Sequence, residues 1–492
     1  MTNTQSQHTS DESPRSGPRA GRLDAADYAR NFCDAHPPLT PAQARIESER
    51  CYYCFDAPCI TACPTGIDIP TFIQRIAQDN LRGAARAILE ANPLGGMCAR
   101  VCPTEVLCEQ ACVRNRHEDK PVEIGLLQRH ATDAHLSEQA AGSGAPLFTR
   151  APSTGRRIAV VGAGPAGLAC AHGLARRGHD VVLLDAKPKL GGLNEYGLAT
   201  YKTAGDFAQR EIDWLLSIGG IEPRCDQQLG RDFTLDALLA DFDAVFLGLG
   251  LAGVNALGIE TPPLEGLRAA VDFIAELRQS DPSRVPIGRR VVVIGGGMTA
   301  VDAAVQARLL GAEEVTMVYR RGPASLSASE VEVRWAQTNG VTVRHWAKPA
   351  AVLGEQGRVT GMRFAATAEQ GGRLVETGET FTLAADMVLQ AIGQSFVGDP
   401  IDEPLDEPMG ASIARVGGRI GTDEEGRTSH PRVWAGGDCR HGGRDLTVEA
   451  VEHGKRAAVS IDAALRDGTL QTSAPVTIPA STPASLQEVQ RG

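Results

Sequence analysis

The chain has 492 residues, 42% of them hydrophobic and 22% charged, and a formal net charge of −11. That length predicts about three domains at ~150 residues each, and the acidic balance excludes a polyanion such as nucleic acid held by bulk charge. The opening MTNTQSQHTSDESPRSGPRAG has no apolar signal segment and no 18-residue apolar run follows, so a soluble cytoplasmic protein is expected, in which disulfides are rare.

In chain order, residues 1–22 read as a disordered polar tail and 23–150 as a helical segment rich in cysteine. CYYCFDAPCITACP spaces Cys51, Cys54, Cys59 and Cys63 as C-x2-C-x4-C-x3-C-P. IPTFIQRIAQ then sets Ile69, Phe72, Ile73 and Ile76 on one helical face, with Asp68 placed to cap it. CARVCPTEVLCEQAC follows, with Cys98, Cys102, Cys108 and Cys112 as C-x3-C-P-x4-C-x3-C. Thiolates are soft ligands that suit iron–sulfur clusters or zinc. Proline directly after Cys63 and Cys102 is the ferredoxin-like arrangement, in which the last cysteine of a run crosses to the other cluster. Eight thiols suffice for two 4Fe–4S clusters. Paired zinc knuckles fit less well, because only one C-x2-C pair is present.

SEQAAGSGAPLF, Ser137 to Phe148, reads as a linker. Beyond it, RIAVVGAGPAGLACAHGLARRGHDVVLLDA has the strand–glycine loop–helix–strand pattern of a dinucleotide site. Gly162, Gly164 and Gly167 supply the turn, the close approach to pyrophosphate and the tight helix–strand packing, and Asp185 ends the second strand where it can accept from ribose hydroxyls. The pattern recurs in RRVVVIGGGMTAVDAAVQARLLGAEEVTMVYRR. Here Ala300 replaces the third glycine, and Arg320 and Arg321 stand where an acid would. Cations at that place suit a 2′-phosphate and favour NADP(H). Late in the chain, RVWAGGDCRHGGRDLTVEAVEHGKRAA puts Gly437 and Asp438 between an apolar strand and a helix, a suitable end for the ribityl and phosphate part of FAD.

These elements predict an α/β protein: a helical cysteine domain over 23–150, then two Rossmann-like domains. The FAD domain spans 151–253 and 397–470, the NAD(P)H domain 254–396 is inserted in it, and a loose tail covers 471–492. No C-x4-C or C-x-x-C pair accompanies either glycine loop, so disulfide reduction is not expected, and Cys170 and Cys225 read as small hydrophobes.

With these motifs, residues 51 to about 460 resemble the NAD(P)H-oxidising part of dihydropyrimidine dehydrogenase, most of all its separate small subunit in bacteria, a family that groups with the glutamate synthase small subunit. CARVCPTEVLCEQAC and PVEIGLLQRHATD carry the likeness to the dihydropyrimidine type. Five residues separate Cys102 from Cys108 here, against three in the CPAPC-like form of the glutamate synthase type.

The resemblance implies that Cys51, Cys54, Cys59 and Cys112 hold one 4Fe–4S cluster, and Cys63, Cys102, Cys108 and Gln128 the other, leaving Cys98 out. It implies that FAD is lined by Ala163, Gly164, Pro165, Ala166, Gly167, Asp185, Gly191, Gly192, Leu193, Lys202, Leu229, Gly437, Asp438 and Thr447. Lys202 stands where the family often has arginine. It further implies that NADP(H) or NAD(H) is lined by Gly296, Gly297, Met298, Thr299, Arg320, Arg321, Ala391, Ile392 and Gly393, while Ser327 occupies a cationic position of the NADPH-dependent animal enzyme. The expected role is electron input, from NAD(P)H through FAD and two clusters to an FMN-containing partner that reduces uracil or thymine. A glutamate synthase small subunit and a flavin-based transhydrogenase subunit are the other enzyme readings. No acid or base residue is assigned.

Overall fold

The computed structural model describes residues 17–260, 263–402 and 412–468; the expected tail 471–492 and most of the tail 1–22 lie outside the described residues. The chain divides into two units, Cys33–Asn255 with Gln394–Gly492, and Met1–Phe32 with Ala256–Gly393.

The larger unit opens with short capped helices. Asp68 accepts from the Thr71 N–H at 3.1 Å and starts the helix Ile69–Ala77, whose Ile69, Phe72, Ile73 and Ile76 are buried. Asn80 starts Leu81–Ala91 in the same way through the Gly83 N–H at 2.8 Å. Their apolar faces close on Ile124, Leu127 and Ala131 of the helix Ile124–Ala140, and five of the cysteines pack against the edge of this core. The expected linker is tied down at both ends. Ser137–Ala140 complete that last helix, while Leu147 and Phe148 are buried against Ala85 and Leu89.

A five-stranded parallel sheet follows, in the order Val433–Ala435, Ala244–Leu247, Arg157–Val161, Asp180–Leu184, Ile221–Arg224. Alternate residues of the central strands feed two apolar layers. Ile158, Val160, Val181 and Leu183 lie on one side; Ala159, Val161, Val182 and Leu184 lie on the other. Each large aliphatic side chain so buried contributes ~1.5–3 kcal/mol. The first strand leads into the helix Pro165–Arg176, and the last into the 21-residue helix Thr447–Asp467, which packs on it. A Cβ at Gly454 would stand 2.0 Å from the Ala166 carbonyl oxygen, so only glycine lets the two helices cross this closely. Gln394 and Ser395 pair antiparallel with Val254 and Gly253, which stitches together the two passages where the chain leaves and re-enters this unit.

The smaller unit holds a second parallel sheet, ordered Leu267–Ala269, Met387–Gln390, Arg290–Ile294, Glu314–Val318, Val341–Arg344. Between its last two strands in sequence, the chain builds a three-stranded antiparallel sheet, Ala347–Glu355, Arg358–Gln370 and Arg373–Ala384, which sequence reasoning missed. The signal was present in two-residue hairpin turns, Gln356-Gly357 and Gly371-Gly372, all four residues having positive φ. Residues 17–32 also join this unit. Arg19 exchanges two 3.0 Å backbone hydrogen bonds with Ile287, and the helix Ala25–Asn31, capped by Asp24, places Asn31 on the Leu309 carbonyl at 2.9 Å. The α/β class, with a helical cysteine-bearing segment ahead of two Rossmann-like folds, is as expected.

Candidate functional site

All twelve cysteines are free thiols. Thiols of the two runs influence one another across the runs, in two groups that Cys59 and Cys108 also connect. Cys51 and Cys59 are each influenced by Cys112, and Cys51 also by Cys54. Cys102 and Cys108 are each influenced by Cys63. Burial pushes the Cys51 thiol up and the Cys59 thiol up to about 12. Burial also raises Cys108, while Cys102 is raised first by its hydrogen bond with Cys98 and then by burial. Among the described residues no three His, Cys, Asp or Glu side chains form a site for a single metal ion. A cube-shaped cluster spreads its thiolates wider than one ion does.

The second group lines a cavity with Ile67, Ile69, Leu107, Val448 and both Cys98 and Gln128. Gln128 is buried, and its Nε2 donates to the Gly95 carbonyl at 2.7 Å, which leaves Oε1 available. Asn92 also lines the cavity, and its Nδ2 has no hydrogen-bond partner. A buried orphan donor beside soft thiols fits a sulfur-rich inorganic group better than a protein core. Near this wall, fully buried Glu211 accepts from the Gly96 N–H at 2.6 Å and the Met97 N–H at 3.1 Å, at the start of the helix Gly95–Val101. Burial raises its carboxyl to about 8. Nothing in the sequence pattern singled out Asn92 or Glu211. Gly454 did carry a signal, as a lone glycine inside a helical pattern.

The first glycine loop is built for close approach. A Cβ at Gly167 would lie 1.8 Å from the Gly162 carbonyl oxygen, so the helix Pro165–Arg176 starts hard against the strand before it. Gly164 faces Gly192 backbone to backbone: a Cβ on Gly192 would stand 2.7 Å from the Gly164 Cα. Gly191 ties in through its N–H to the Ala163 carbonyl at 2.9 Å, and Leu193 follows, exposed. Gly437 abuts Ala166, and the Thr447 hydroxyl donates to Asn194 at 3.0 Å. Asp185 does more than end a strand. Its Oδ2 accepts from the Ala163 N–H at 2.7 Å and its Oδ1 from the Lys187 N–H at 2.8 Å, so it braces the loop, and burial raises its carboxyl. Burial, and then the neighbouring Asp445 charge, push Asp438 up to about 6. Lys202 is buried on the single turn Thr200–Lys202. Leu229 sits in the apolar layer with Val161 and Leu247. These backbone cradles suit an elongated dinucleotide.

The second loop uses a wider turn. Gly296 accepts from the Ser327 N–H at 3.1 Å and the Ala328 N–H at 3.0 Å, so the 323–328 segment lies over it. Met298 and Thr299 open the helix Met298–Leu309 behind Gly297. Ala391 backs Gly295, with Ile392 and Gly393 following. Arg320 and Arg321 are both exposed, and neither forms an ion pair among the described residues. Cys170 is fully buried, which raises its thiol, Cys225 is half-buried, and both are free.

Comparison with known proteins agrees with this layout. The family model "Dihydropyrimidine dehydrogenase domain II, 4Fe-4S cluster" matches residues 28–140, and "Pyridine nucleotide-disulphide oxidoreductase" matches 156–454. The glutamate synthase [NADPH] small chain of Escherichia coli (strain K12) is 33% identical over 450 residues, covering 87% of this chain and 93% of its own. The NAD-dependent dihydropyrimidine dehydrogenase subunit PreT of Salmonella typhimurium is 33% identical over 433 residues, 88% of this chain and 97% of its own. Mycobacterium tuberculosis FprA, solved with NADPH, shares the fold at TM-score 0.53 and 20% identity, over 66% of this chain and 88% of its own. The two family models support iron–sulfur, flavin and nicotinamide groups as the cofactors of this chain and NAD(P)-dependent oxidation–reduction as its chemistry. Among the described residues no helix is long and apolar enough to cross a membrane.

Proposed function

From the premise that this chain belongs to the pyridine nucleotide-disulphide oxidoreductase family, in the iron–sulfur group with PreT and the glutamate synthase small chain, we propose that it is the electron-input subunit of a dihydropyrimidine dehydrogenase. The net reaction is NAD(P)H + H⁺ + uracil → NAD(P)⁺ + 5,6-dihydrouracil, with the pyrimidine reduced on an FMN-carrying partner in a hetero-oligomer. When bound, the flavin and two 4Fe–4S clusters supply the conversion of a hydride's electron pair into single electrons and their relay.

The chain's own groups hold and order these parts. Ala163–Gly167, Gly191–Leu193, Gly437, Asp438 and Thr447 cradle FAD, with Asp185 bracing the loop; Lys202 and Leu229 complete its surroundings. Gly296–Thr299 and Ala391–Gly393 hold the nicotinamide dinucleotide, and the free guanidinium groups of Arg320 and Arg321 grip a 2′-phosphate. Cys63, Cys102, Cys108 and Gln128 hold the cluster on the flavin side, whose cavity wall includes Val448 next to Thr447. Cys51, Cys54, Cys59 and Cys112 hold the outer one. Tyr52, Tyr53 and Phe55 beside Cys54 are the exposed aromatic residues among the described ones, and Phe55 is 99% exposed. That surface suits the exit to a partner.

The observation that carries this reading over a glutamate synthase role is the five-residue turn from Cys102 to Cys108. With it, Leu107 and Gln128 both line the cavity. The test is anaerobic purification with bound proteins, followed by NADPH oxidation. Uracil-dependent oxidation is expected. Oxidation driven by glutamine plus 2-oxoglutarate, with none from uracil, overturns the reading.

A further inference from the structure

Asn92 follows the helix Leu81–Ala91 as its C-cap and is fully buried. Its side-chain amide is oriented by one hydrogen bond, Oδ1 accepting from the Leu94 N–H at 3.0 Å. That bond directs the other half of the amide, Nδ2, to a place where it finds no acceptor in the protein. A buried donor without a partner costs about 1–3 kcal/mol. The turn needs only the acceptor, which serine or aspartate also supplies. The donor half is therefore unexplained by the fold.

What surrounds it is specific. The cavity that Asn92 lines also holds Cys63, Cys102, Cys108 and Gln128, and the rest of its wall is largely apolar. Cluster sulfurs accept hydrogen bonds, and such bonds help set the reduction potential. Reduction adds one negative charge to a cluster. An N–H pointing at sulfur stabilises the reduced state more than the oxidised one, whereas the apolar wall disfavours it. The other thiol group is flanked by exposed Tyr52, Tyr53 and Phe55, whereas the cavity around Asn92 offers the inner one few polar partners.

We propose that Asn92 donates a hydrogen bond from Nδ2 to a sulfur of the iron–sulfur centre held at Cys63, Cys102, Cys108 and Gln128, and so raises that centre's reduction potential. Asn92 is a positioning and tuning residue. It makes the inner centre easier to reduce than its apolar cavity alone allows, which eases the entry of each electron from the flavin side. The proposal rests on the reading that those four side chains hold a cluster.

The test is a redox titration of the full chain followed by electron paramagnetic resonance, with iron counted per flavin. Asn92→Leu removes the donor, and Asn92→Asp keeps an acceptor for the Leu94 N–H without the N–H donor. In both, iron content should stay at the wild-type level. One of the two centres should lose about tenfold in its reduced-to-oxidised ratio at fixed potential, a fall of about 59 mV for one electron, while the other centre stays put. Unchanged potentials for both centres in iron-replete variants overturn the proposal. So does loss of iron from both variants, which makes Asn92 purely structural. A wild-type chain that shows one centre only sinks the ligand reading itself, and is told apart by its iron count.

Discussion

The two glycine-loop units start from almost the same sequence pattern and diverge in three places. The first loop has glycine at its third position, because Gly162 at φ +96° brings its carbonyl onto the start of the next helix. The second opens to φ +152° at Gly295 and accommodates the buried Ala300. The first unit ends its second strand in Asp185, which is occupied by backbone N–H groups; the second ends in two exposed arginines without ion pairs among the described residues. The first is closed by the returning helix Thr447–Asp467, crossing at Gly454. The difference separates a loop closed in by backbone from one flanked by exposed positive charge. A resident group suits the first, and an exchanging substrate the second.

The comparison breaks most sharply at the third loop position. Gly167→Ala should cost about 3 kcal/mol and release the flavin, read as flavin absorbance per chain and a lowered Tm. Ala300→Gly, the reverse exchange in the other unit, should cost about 1 kcal/mol and leave the flavin bound. Equal effects at the two positions would show that the loop turns are not what separates them. Next comes Gly454→Ala, expected at about 2 kcal/mol because the new methyl meets the Ala166 carbonyl. Hydrogen exchange should quicken in the strand Arg157–Val161 and stay slow in Arg290–Ile294.

Charge sharpens the contrast with a smaller effect. Arg320→Ala or Arg321→Ala should lower kcat/KM for NADPH roughly tenfold, about 1.4 kcal/mol, leave NADH turnover unchanged and shift stability by less than about 0.5 kcal/mol. A parallel loss with both nucleotides would remove the 2′-phosphate role. The smallest effect is a pH slope. Burial raises Asp438 to about 6, so between its ordinary value of 3.8 and about 6 the folded chain keeps a proton that the unfolded chain has released. Stability therefore falls as pH rises through that window and levels off above it. In the other unit, Arg289 holds Glu313 below the usual carboxylate range, so its contribution is lost instead as pH falls. The flavin-free chain should lose a few degrees of Tm from pH 4 to 6, and Asp438→Asn should flatten the slope.

Much of this was legible along the chain because it depends on short-range rules. Strand, glycine turn and helix within thirty residues announce a dinucleotide loop, and Asp68 with the 3.6-residue apolar repeat announced a helix that begins one residue later. The hairpins at Gln356-Gly357 and Gly371-Gly372 were equally local and were overlooked. The cysteine spacing alone groups Cys98 with its run and says nothing of Gln128, an amide on a helix thirty residues away, yet both line the one cavity.

By itself, then, the sequence determined the class of fold, the two nucleotide loops and a thiol-rich segment, since each follows from neighbouring residues and the geometry of one turn or one helix. Only the tertiary structure decided which thiols share a wall, that Asp185 is spent on bracing its own loop, that residues 17–32 join the smaller unit, and that Asn92 offers a donor with nothing in the protein to accept it. Those outcomes depend on burial, on removing water from groups far apart in the chain. Burial is a property of the packed whole, to which no local spacing gives access.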